Sequence, residues 1–513
     1  MRKILIANRG EIAVRIGRAC REMGISPVAV YSECDRTALH VRLADEAYAI
    51  GGSAPRHSYL RIDRMLEAAK TSGADAVHPG YGFLAEQASF ARAVEDAGLT
   101  FIGPTPETIA VMGSKTAARA AAVRAGVPVV PGTPDPIPAA ISDSQLQEIA
   151  RSIGYPVLVK AVSGGGGKGM RTVIDPEDLV GAVRAARSEA DAAFGDAAVY
   201  LERRLTRPRH IEVQVLGDKF GTVLPFVERE CSIQRRHQKV VEETPSVAVT
   251  PALRQSLTTA AATVARAVGY TNAGTVEFLV EPGGAFFFLE MNTRLQVEHP
   301  ITEMVTGIDL VQWQIRIARG ERLDLDPAAL VTPKGHAIEC RIYAEDPDNH
   351  FLPSPGRILA LRAPAGPGIR DDSGVTAGLD VPIFYDPMIS KLVAWAEDRP
   401  RAIARSRRAL GEYVVGGIKT TLPFFAWLLD QPEFGAGRFH TTFLDELLAL
   451  PNRRPFAEPD AGIEEAAVMA AALQAILSSD ASEKGVRPLF GSRWKDRARR
   501  EGIEGLAARA VRR

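Results

Sequence analysis

The 513-residue chain is too long for one hydrophobic core, because domains run to about 100 to 200 residues, and about three domains are expected. Hydrophobic residues make up 46% and charged residues 24%, which is ordinary for a globular protein and excludes wholesale disorder. The 62 basic residues balance the 62 acidic residues, so there is no global basic field to recruit nucleic acid or an anionic membrane.

The N-terminal and cysteine patterns predict a cytoplasmic protein. The start of the chain imitates a signal peptide, but Arg9 and Glu11 keep its apolar run below the roughly 7 residues of an h-region. No stretch approaches the roughly 18 uninterrupted apolar residues of a membrane span. The four cysteines form no Cys-x-x-Cys pair, so we expect reduced, structural thiols.

The N-terminal part alternates strands and helices. Lys3 to Ala7 is an apolar run, apolar residues recur at helical spacing from Ile12 to Met23, and Pro27 to Tyr31 predicts a second strand. The alternation continues at 74–78 and 100–103, which predicts a doubly wound α/β domain. The first turn, Asn-Arg-Gly-Glu-Ile-Ala, lacks Gly-x-Gly-x-x-Gly and argues against an NAD-dependent oxidoreductase.

A proline-rich connector and a glycine run come next. Five prolines between Val127 and Pro138 predict an extended connector with a hinge or boundary near it. After a predicted strand at 157–161, residues 163–170 read Ser-Gly-Gly-Gly-Gly-Lys-Gly-Met. Glycines let backbone N–H groups approach phosphate oxygens, although a flexible hairpin tip has the same composition. The spacing is not that of a P-loop, so any nucleotide fold is a different one.

A predicted hairpin brings two glutamates together. Gly283-Gly284 separates two apolar runs, and pairing outward from a two-residue turn sets Glu277 opposite Glu290. Opposed carboxylates repel, and a divalent cation removes that cost. Strand parity puts Asn292 on the same face, so we expect a magnesium site; the alternative is a solvated polar face with a slipped register.

Two electropositive clusters flank this hairpin in the sequence. The first, from Arg229 to Lys239, is by itself typical of a solvated basic loop. The second follows Asn292: if the chain stays extended, Arg294, Gln296 and Glu298 share one face. An acid, a cation and an amide beside a metal could hold and deprotonate a small oxyanion.

The C-terminal third is mixed and then changes character. Leu310 to Arg319 predicts a helix, and a further mixed α/β region follows from about 335 to 447. Glu464 to Leu477 is an alanine-rich helix candidate. From Lys484 onward, ten basic residues stand against three acidic ones.

Four segments together resemble one family, biotin carboxylase, the ATP-grasp subunit of biotin-dependent carboxylases. They are Ile6 to Ala13 (IANRGEIA), His78 to Leu84 (HPGYGFL), Gln234 to Lys239 (QRRHQK) and Glu290 to Pro300 (EMNTRLQVEHP). The resemblance runs from residue 3 to about 448. It implies an N-terminal domain over 1–112, an ATP-grasp domain over 113–330 with a lid at about 130–204, and a C-terminal domain over 331–447. The basic tail over 448–513 lies outside the resemblance.

The resemblance also implies an activity. Bicarbonate would attack the γ-phosphate of ATP, with Mg²⁺ or Mn²⁺, to give carboxyphosphate, whose CO₂ passes to biotin. The enzyme would serve an acetyl-CoA or other acyl-CoA carboxylase, as in fatty acid biosynthesis, or a two-subunit pyruvate carboxylase. Another ATP-grasp ligase is a rival, which Arg341 and the 78–84 motif disfavour. A non-catalytic nucleotide-binding regulator would be expected to lack Glu298 or Lys239, and both are present.

Site residues carry over from the resemblance position by position. The implied ATP contacts are Lys115, Lys160, Gly166, Gly167, Glu202, Arg203, Arg204, Leu205, His210, Gln234, His237, Glu277, Leu279 and Glu290. The implied metal ligands are Glu277, Glu290 and Asn292. The implied bicarbonate contacts are Lys239, Arg294, Gln296 and the Val297 backbone, with Glu298 as the base. The implied biotin contacts are Arg341, which stabilises the enolate, Tyr81 and Asp386.

The resemblance has one departure and several consequences for partners. Lys168 stands where many members have arginine, and either cation suits a phosphate lid. Biotin is normally attached to lysine between methionines, and no lysine here adjoins any of the nine methionines. We therefore expect a separate biotin carboxyl carrier protein, one or more carboxyltransferase subunits, and a homodimer. The tail from Lys484 is a candidate contact for an acidic partner surface, or a solvated, disordered tail.

Overall fold

The computed structural model describes residues 1–162, 170–450, 455–456 and 461–479. The chain divides into two compact units, Met1–Arg453 and Arg454–Arg513. The predictions for Gly166, Gly167, Lys168 and the basic stretch from Lys484 lie outside the described residues.

The N-terminal part is a doubly wound α/β domain, as predicted. Its five strands form a parallel sheet in the order β3-β2-β1-β4-β5. The strands are β1 (Lys3–Ile6), β2 (Ser26–Ser32), β3 (Glu46–Gly51), β4 (Ala76–His78) and β5 (Thr100–Phe101). The helices are α1 (Gly10–Glu22), α2 (Leu39–Leu43), α3 (Ile62–Ser72), α4 (Ala88–Asp96) and α5 (Pro106–Gly113). Helix α1 forms because Ile12, Ile16 and Ala19 recur on one face, where all three are buried.

A small three-stranded sheet follows the proline-rich connector. Its order is β7-β6-β8, and it packs with two helices around a hydrophobic cluster of its own that includes Leu146, Val159 and Leu201. Helix α6 (Lys115–Arg124) precedes the connector. The elements after it are α7 (Asp143–Ile153), β6 (Val157–Ala161), β7 (Met170–Val173), α8 (Leu179–Phe194) and β8 (Val199–Arg203). The segment 127–138 lies between α6 and α7 and belongs to no helix or strand.

One eight-stranded sheet, in the order β13-β12-β9-β10-β11-β14-β21-β19, forms the floor of the site. Its strands are β9 (Arg209–Gly217), β10 (Val223–Arg235), β11 (Gln238–Thr244), β12 (Asn272–Val280), β13 (Phe286–Asn292), β14 (His336–Tyr343), β19 (Ile369–Ser373) and β21 (Met388–Ala396). Because β11 pairs with β14, the sheet continues across residue 330, where we expected a domain boundary.

Helices and short strands complete this unit. The helices are α9 (Pro251–Ala267), α10 (His299–Thr306), α11 (Leu310–Ala318), α12 (Pro327–Val331), α13 (Arg399–Glu412), α14 (Leu422–Leu429), α15 (Pro432–Gly435) and α16 (Phe443–Leu448). The short strands are β15 (Glu345–Asp346), β16 (Leu352–Pro353), β17 (Gly356–Arg357), β18 (Ala360–Arg362), β20 (Asp380–Val381) and β22 (Val414–Gly416). The predicted helix at 310–319 is confirmed as α11.

The second unit contains α17 (Ala461–Ser479), which confirms the predicted alanine-rich helix. Among the described residues, none of the helices combines the length and apolar character that crossing a bilayer requires. All four cysteines are free thiols; Cys34 is exposed and the other three are buried.

The β12–β13 hairpin has a different turn from the predicted one. Val280 pairs with Phe286, so the strands are joined by five residues rather than two. A bulge then shifts the register between Phe278 and Glu277, and Glu277 faces Glu290 as predicted. The extra residue restores the expected pairing, because a bulge sets two residues of one strand against one of its partner.

Candidate functional site

A cavity of about 940 Å³ lies over the eight-stranded sheet and beneath the three-stranded sheet. Most of the predicted site residues line it. They are Lys115, Lys160, Glu202, Arg203, Arg204, Leu205, His210, Gln234, His237, Lys239, Glu277, Leu279, Glu290, Asn292, Arg294, Gln296, Val297 and Arg341.

A buried lysine donates hydrogen bonds to three buried carboxylates on the cavity floor. Lys239 Nζ donates to Glu212 at 2.6 Å, to Glu277 at 2.7 Å and to Glu298 at 2.8 Å. We call these four residues the lysine–carboxylate cluster. Burial alone would lower the pKa of Lys239, but the three carboxylates raise it well above its ordinary value. The lysine is therefore a fixed cation at the centre of the site.

The Glu277 and Glu290 carboxylates differ in their surroundings. Burial would raise the pKa of Glu277, but Lys239 and His210 lower it well below its ordinary value. Glu277 also accepts hydrogen bonds from Asn292 Nδ2 at 2.9 Å and Gln296 Nε2 at 3.1 Å. Burial and the charge of Glu277 raise the pKa of Glu290. The two opposed glutamates therefore repel each other, as the strand pairing implies.

This donor set fits a hard divalent cation. Two carboxylates and an amide side chain, Glu277, Glu290 and Asn292, supply oxygen ligands of the kind that Mg²⁺ takes beside nucleotide phosphates. Two other groups of the described residues bring ligand atoms within 4.8 Å of one another, His210–Glu212–Glu277 and Glu212–Cys231–Glu298. Both contain Glu212, which already pairs with two cations, Arg229 and Lys239, so the hairpin pair, which adds Glu290, is the better cation site.

The predicted base, Glu298, is fully buried between two cations. It accepts hydrogen bonds from Lys239 and, at 3.0 Å, from Arg341 Nη2. Burial would raise the pKa of Glu298, but these cations hold it well below its ordinary value, so the residue is a carboxylate. Arg341 also donates to Glu242 at 2.6 Å, and burial raises the pKa of Glu242 to about 7.

Residues 293–298 do not stay extended, contrary to the assumption behind their predicted common face. Strand β13 ends at Asn292, and the chain turns before α10. The side chains still converge, because Arg294 donates to Asn292 at 3.2 Å and to Gln296 at 3.0 Å. Glu86 fixes Arg294 from the N-terminal domain, accepting from its Nε at 2.7 Å.

The upper part of the cavity carries the predicted nucleotide contacts. Lys160 donates to Glu202, which also accepts from Arg119 at 3.3 Å. Burial lowers the pKa of Lys115. His210 lies 2.9 Å from Glu277; burial would lower its pKa, but that carboxylate raises it.

The two remaining biotin candidates do not line the cavity. Asp386 is exposed, and its charge acts on the phenol of Tyr343, which contacts Arg341. Tyr81 is half-buried, and its ring lies 5.8 Å from the Lys391 ammonium. Both lie close to residues around Arg341 rather than at the nucleotide end.

Sequence reasoning misses three charged residues of the site and misreads a fourth. The patterns do not single out Glu212, Glu242 and Lys391, which lie on β9, β11 and β21 of the eight-stranded sheet. The assignment of Arg229 to a solvated basic loop is wrong: it is fully buried in β10 and bonded to Glu212. The exposed part of this segment is 236–238, and within it Arg236 and His237, both with positive φ, form the turn between β10 and β11.

Family models match most of the chain. "Biotin carboxylase, N-terminal domain" matches residues 1–109, "Carbamoyl-phosphate synthase L chain, ATP binding domain" matches 114–326, and "Biotin carboxylase C-terminal domain" matches 339–446. Together with the cavity over the sheet, these matches define an ATP-dependent carboxylating ligase.

Curated relatives and solved structures agree. A pyruvate carboxylase subunit of Methanothermobacter thermautotrophicus is 54% identical, covering 86% of this chain and 89% of that protein. Biotin carboxylase of Nostoc sp. is 52% identical, covering 87% and 99%. The biotin carboxylase of Campylobacter jejuni in a β,γ-ATP complex superposes with a TM-score of 0.83 at 45% identity, covering 87% and 98%. The biotin carboxylase domain dimer of Hydrogenobacter thermophilus 2-oxoglutarate carboxylase, with MgADP, ADP and bicarbonate, gives 0.83 at 46%, covering 90% and 99%. The chain belongs to the biotin carboxylase family.

Proposed function

We propose that this chain carboxylates biotin with bicarbonate and MgATP, the first half-reaction of a biotin-dependent carboxylase. The observation that carries the proposal is the convergence of Lys239, Arg294, Gln296 and Glu298 beside the opposed pair Glu277 and Glu290. This arrangement offers cations and an amide for an oxyanion, a carboxylate base, and oxygen ligands for a cation that binds phosphates.

The nucleotide occupies the upper cavity in this proposal. Its contacts are Lys115, Lys160, Glu202, Arg203, Arg204, Leu205, His210, Gln234, His237 and Leu279, together with Gly166 and Gly167 outside the described residues. Glu277, Glu290 and Asn292 would hold Mg²⁺ or Mn²⁺, which supplies charge neutralisation at the phosphates. Lys115 and Lys160 add fixed positive charge on the nucleotide side of the cavity.

Bicarbonate is held and deprotonated on the floor. Lys239 and Arg294 bind its oxygens with Gln296 and the Val297 backbone, and Glu298 accepts its proton. While Lys239 and Arg341 donate to Glu298, they hold its pKa so low that it is a weak base. When their hydrogen bonds shift to bicarbonate and biotin, Glu298 loses two stabilising donors and its basicity rises.

Biotin acts at the Arg341 end of the site. The ring nitrogen passes its proton to the phosphate that carboxyphosphate releases with CO₂. The ureido oxygen gains negative charge in this step, and the Arg341 guanidinium stabilises that charge. Tyr81 and Asp386 would bound the same subsite. The hydrogen bond between Arg341 and Glu298 supports this placement, because it joins the proposed biotin-binding arginine directly to the proposed base.

The partners follow from the family. Biotin carboxylase subunits work with a biotinylated carrier and a carboxyltransferase, and we propose a separate carrier because no lysine in this chain adjoins a methionine. We propose an acetyl-CoA or other acyl-CoA acceptor, with pyruvate as the alternative that the relative from M. thermautotrophicus favours. We also propose a homodimer, cytoplasmic localisation, and domain boundaries near residues 112, 330 and 447.

Separate measurement of the two half-reactions tests the proposal. Glu298→Ala should bind ATP but release phosphate with bicarbonate about 10² to 10⁴ times more slowly, because one acid–base group is lost. Arg341→Ala should still form carboxyphosphate, seen as bicarbonate-dependent ADP release, but fail to carboxylate biotin. Equal loss of both half-reactions in Arg341→Ala, or normal rates in Glu298→Ala, would contradict the assigned roles.

A further inference from the structure

Lys391 is a fully buried lysine beneath the loop that carries the bicarbonate contacts. It lies on β21, its side chain is 0% exposed, and its Nζ donates to the carbonyl oxygen of Val297 at 3.1 Å. The preceding carbonyl, that of Gln296, lies 2.8 Å from His299 Nδ1. Two buried side chains therefore hold consecutive peptide groups of this loop.

The charge of Lys391 is balanced by Glu11. The two side chains lie 3.1 Å apart, whereas Asp372 is 4.0 Å away and is already bonded to Arg370 at 2.7 Å and 3.0 Å. Both Glu11 oxygens are buried, and no donor among the described residues makes a well-aligned hydrogen bond to them. Lys391 is therefore the main partner of a carboxylate that burial would otherwise penalise.

The pair explains a sequence motif that the proposed chemistry leaves unused. Glu11 belongs to the N-terminal Asn-Arg-Gly-Glu motif, in which Asn8 donates to the carbonyl oxygens of Pro79 at 2.7 Å and Tyr81 at 2.8 Å. The motif thus reaches the Tyr81 loop through Asn8 and the Val297 loop through Glu11 and Lys391.

Lys391 also lies beside the biotin end of the site. Lys391 pairs with Arg341 across the β14–β21 ladder, and directly opposed residues share a face. The ring of Tyr81 lies 5.8 Å from its ammonium. One buried cation is therefore in contact with the backbone of the bicarbonate subsite and adjacent to two side chains of the biotin subsite.

We propose that Lys391, held by Glu11, is a positioning residue that fixes the Val297 peptide and thereby the geometry of Arg294, Gln296 and Glu298. The inference rests on the proposed function of that loop. It assigns to Lys391 no contact with substrate; the lysine acts through the carbonyl oxygen of Val297. A displacement of about 1 Å at such a site costs up to about 100-fold in rate, which sets the scale of the effect.

A purely structural role makes a different prediction. If Lys391 only neutralises Glu11, then removing both charges together restores the enzyme, because no buried carboxylate is left unpaired. The double variant Lys391→Met/Glu11→Gln makes this separation. The positioning role predicts that the double variant folds but keeps a defect, because the Val297 carbonyl still lacks its donor.

The kinetic test compares the kinetic constants for bicarbonate and for ATP at about pH 8. Burial raises the pKa of Glu11 to about 7, so Glu11 is ionised at that pH in the wild type. We expect Lys391→Met/Glu11→Gln to lower kcat/KM for bicarbonate by about 10-fold to 100-fold and to leave KM for ATP unchanged. The matched control is Arg254→Met/Glu228→Gln, which removes an ion pair between half-buried Arg254 on α9 and buried Glu228 on β10 that does not line the cavity. The control should leave both parameters near wild type.

Amide hydrogen exchange gives a readout that does not need activity. In the full-length chain without substrates, residues 293–300 should exchange faster in the Lys391 double variant than in the wild type or the control. Unchanged exchange or a normal kcat/KM for bicarbonate would overturn the inference. So would a KM for ATP that rises as much as kcat/KM for bicarbonate falls. A wild-type chain that cannot carboxylate biotin would instead overturn the proposed function, while the exchange result would still decide the role of Lys391.

Discussion

The chemistry of the site depends on one ammonium group within 2.8 Å of three buried carboxylates. A buried charge is costly unless it is paired, and Lys239 pairs Glu212, Glu277 and Glu298 at once. It lowers the pKa of Glu277 and Glu298, against the effect of burial, and so keeps both ionised in the folded protein. The same ammonium is the proposed bicarbonate ligand, so structure and catalysis depend on one residue.

Lys239→Met should destabilise the protein in a pH-dependent way. In the wild type, Glu277 and Glu298 have folded pKa values below the unfolded value of about 4.3, so their contribution is present above that pH and is lost as pH falls. Without the lysine, His210 still lowers the pKa of Glu277 and Arg341 that of Glu298, but each carboxylate has lost one cation. Both pKa values therefore rise, and the charged forms stabilise the fold less.

Thermal melts at several pH values test this sign. The loss of stability in Lys239→Met should be greatest at about pH 8, of the order of 3 to 5 kcal/mol, and should shrink as the pH approaches about 5. A loss that is independent of pH would show that the carboxylates do not depend on Lys239. The control is Arg254→Met/Glu228→Gln, which removes both charges of an ion pair outside the cavity and should show no such pH dependence.

The β12–β13 hairpin shows what strand patterns can and cannot predict. Alternation along the strands correctly sets Glu277 against Glu290, but the predicted turn is wrong, because a bulge at one residue compensates for a longer loop. A bulge of one residue can restore the strand pairing far from the turn. The apolar and polar residues of the sequence do not show where such a bulge lies. The convergence of Arg294, Gln296 and Glu298 is expected for an extended chain, whereas a turn produces it.

Buried charge is the second limit of sequence reasoning. Arg229 resembles part of a solvated loop, because five cationic or potentially cationic residues fall between 229 and 239. The partner that makes its burial possible, Glu212, lies on β9 and is adjacent only after the sheet has formed. The ion pair between Lys391 and Glu11 cannot be predicted from sequence patterns for the same reason, because most of the chain separates the two residues. The site residues named from the family motif need no such long-range information.

The opposed glutamates of the hairpin lead to an element-level prediction. Glu290→Gln should abolish ATP turnover, because one oxygen ligand of the proposed cation site loses its charge. It should also leave the ligand-free protein as stable as the wild type or more stable, since the pKa of Glu290 is raised by burial and by the charge of Glu277.

An ATPase assay checks the predicted loss of turnover, and melting curves with and without MgATP check the predicted stability. MgATP should raise the melting temperature of the wild type, as any ligand selective for the folded state does, and should raise that of Glu290→Gln less. Near-normal ATPase activity in Glu290→Gln would contradict the assignment of the β12–β13 hairpin to the metal site.

At the scale of the whole molecule, one sheet carries both ends of the proposed reaction. The proposed metal ligands Glu277, Glu290 and Asn292 lie on β12 and β13, and Arg341, the proposed biotin contact, lies on β14 of the same eight-stranded sheet. The N-terminal domain adds contacts from one side through Glu86 and Glu11. A rigid sheet suits this function, because the base must stay within hydrogen-bond reach of both substrates.

The proposed biotinylated carrier gives a prediction at this scale. The enzyme should carboxylate free biotin slowly and a biotinylated carrier domain much faster, because carrier docking adds binding energy that a small ureido ring lacks. Truncation after Leu450 should leave activity on free biotin intact, since Met1–Arg453 is a compact unit. Loss of salt-sensitive association with partner subunits in the truncated protein would make the tail an assembly element; unchanged association would leave it without that role.

The most direct test of the account follows labelled carbon from bicarbonate into biotin. With purified full-length chain, free biotin, Mg²⁺ and ATP, we expect label to appear in biotin, with ADP formed alongside it. Omission of ATP or Mg²⁺, or the Glu298→Ala substitution, should abolish the transfer. ATP cleavage that never places label in biotin, or label that appears without ATP, would contradict the assignment of this site to biotin carboxylation.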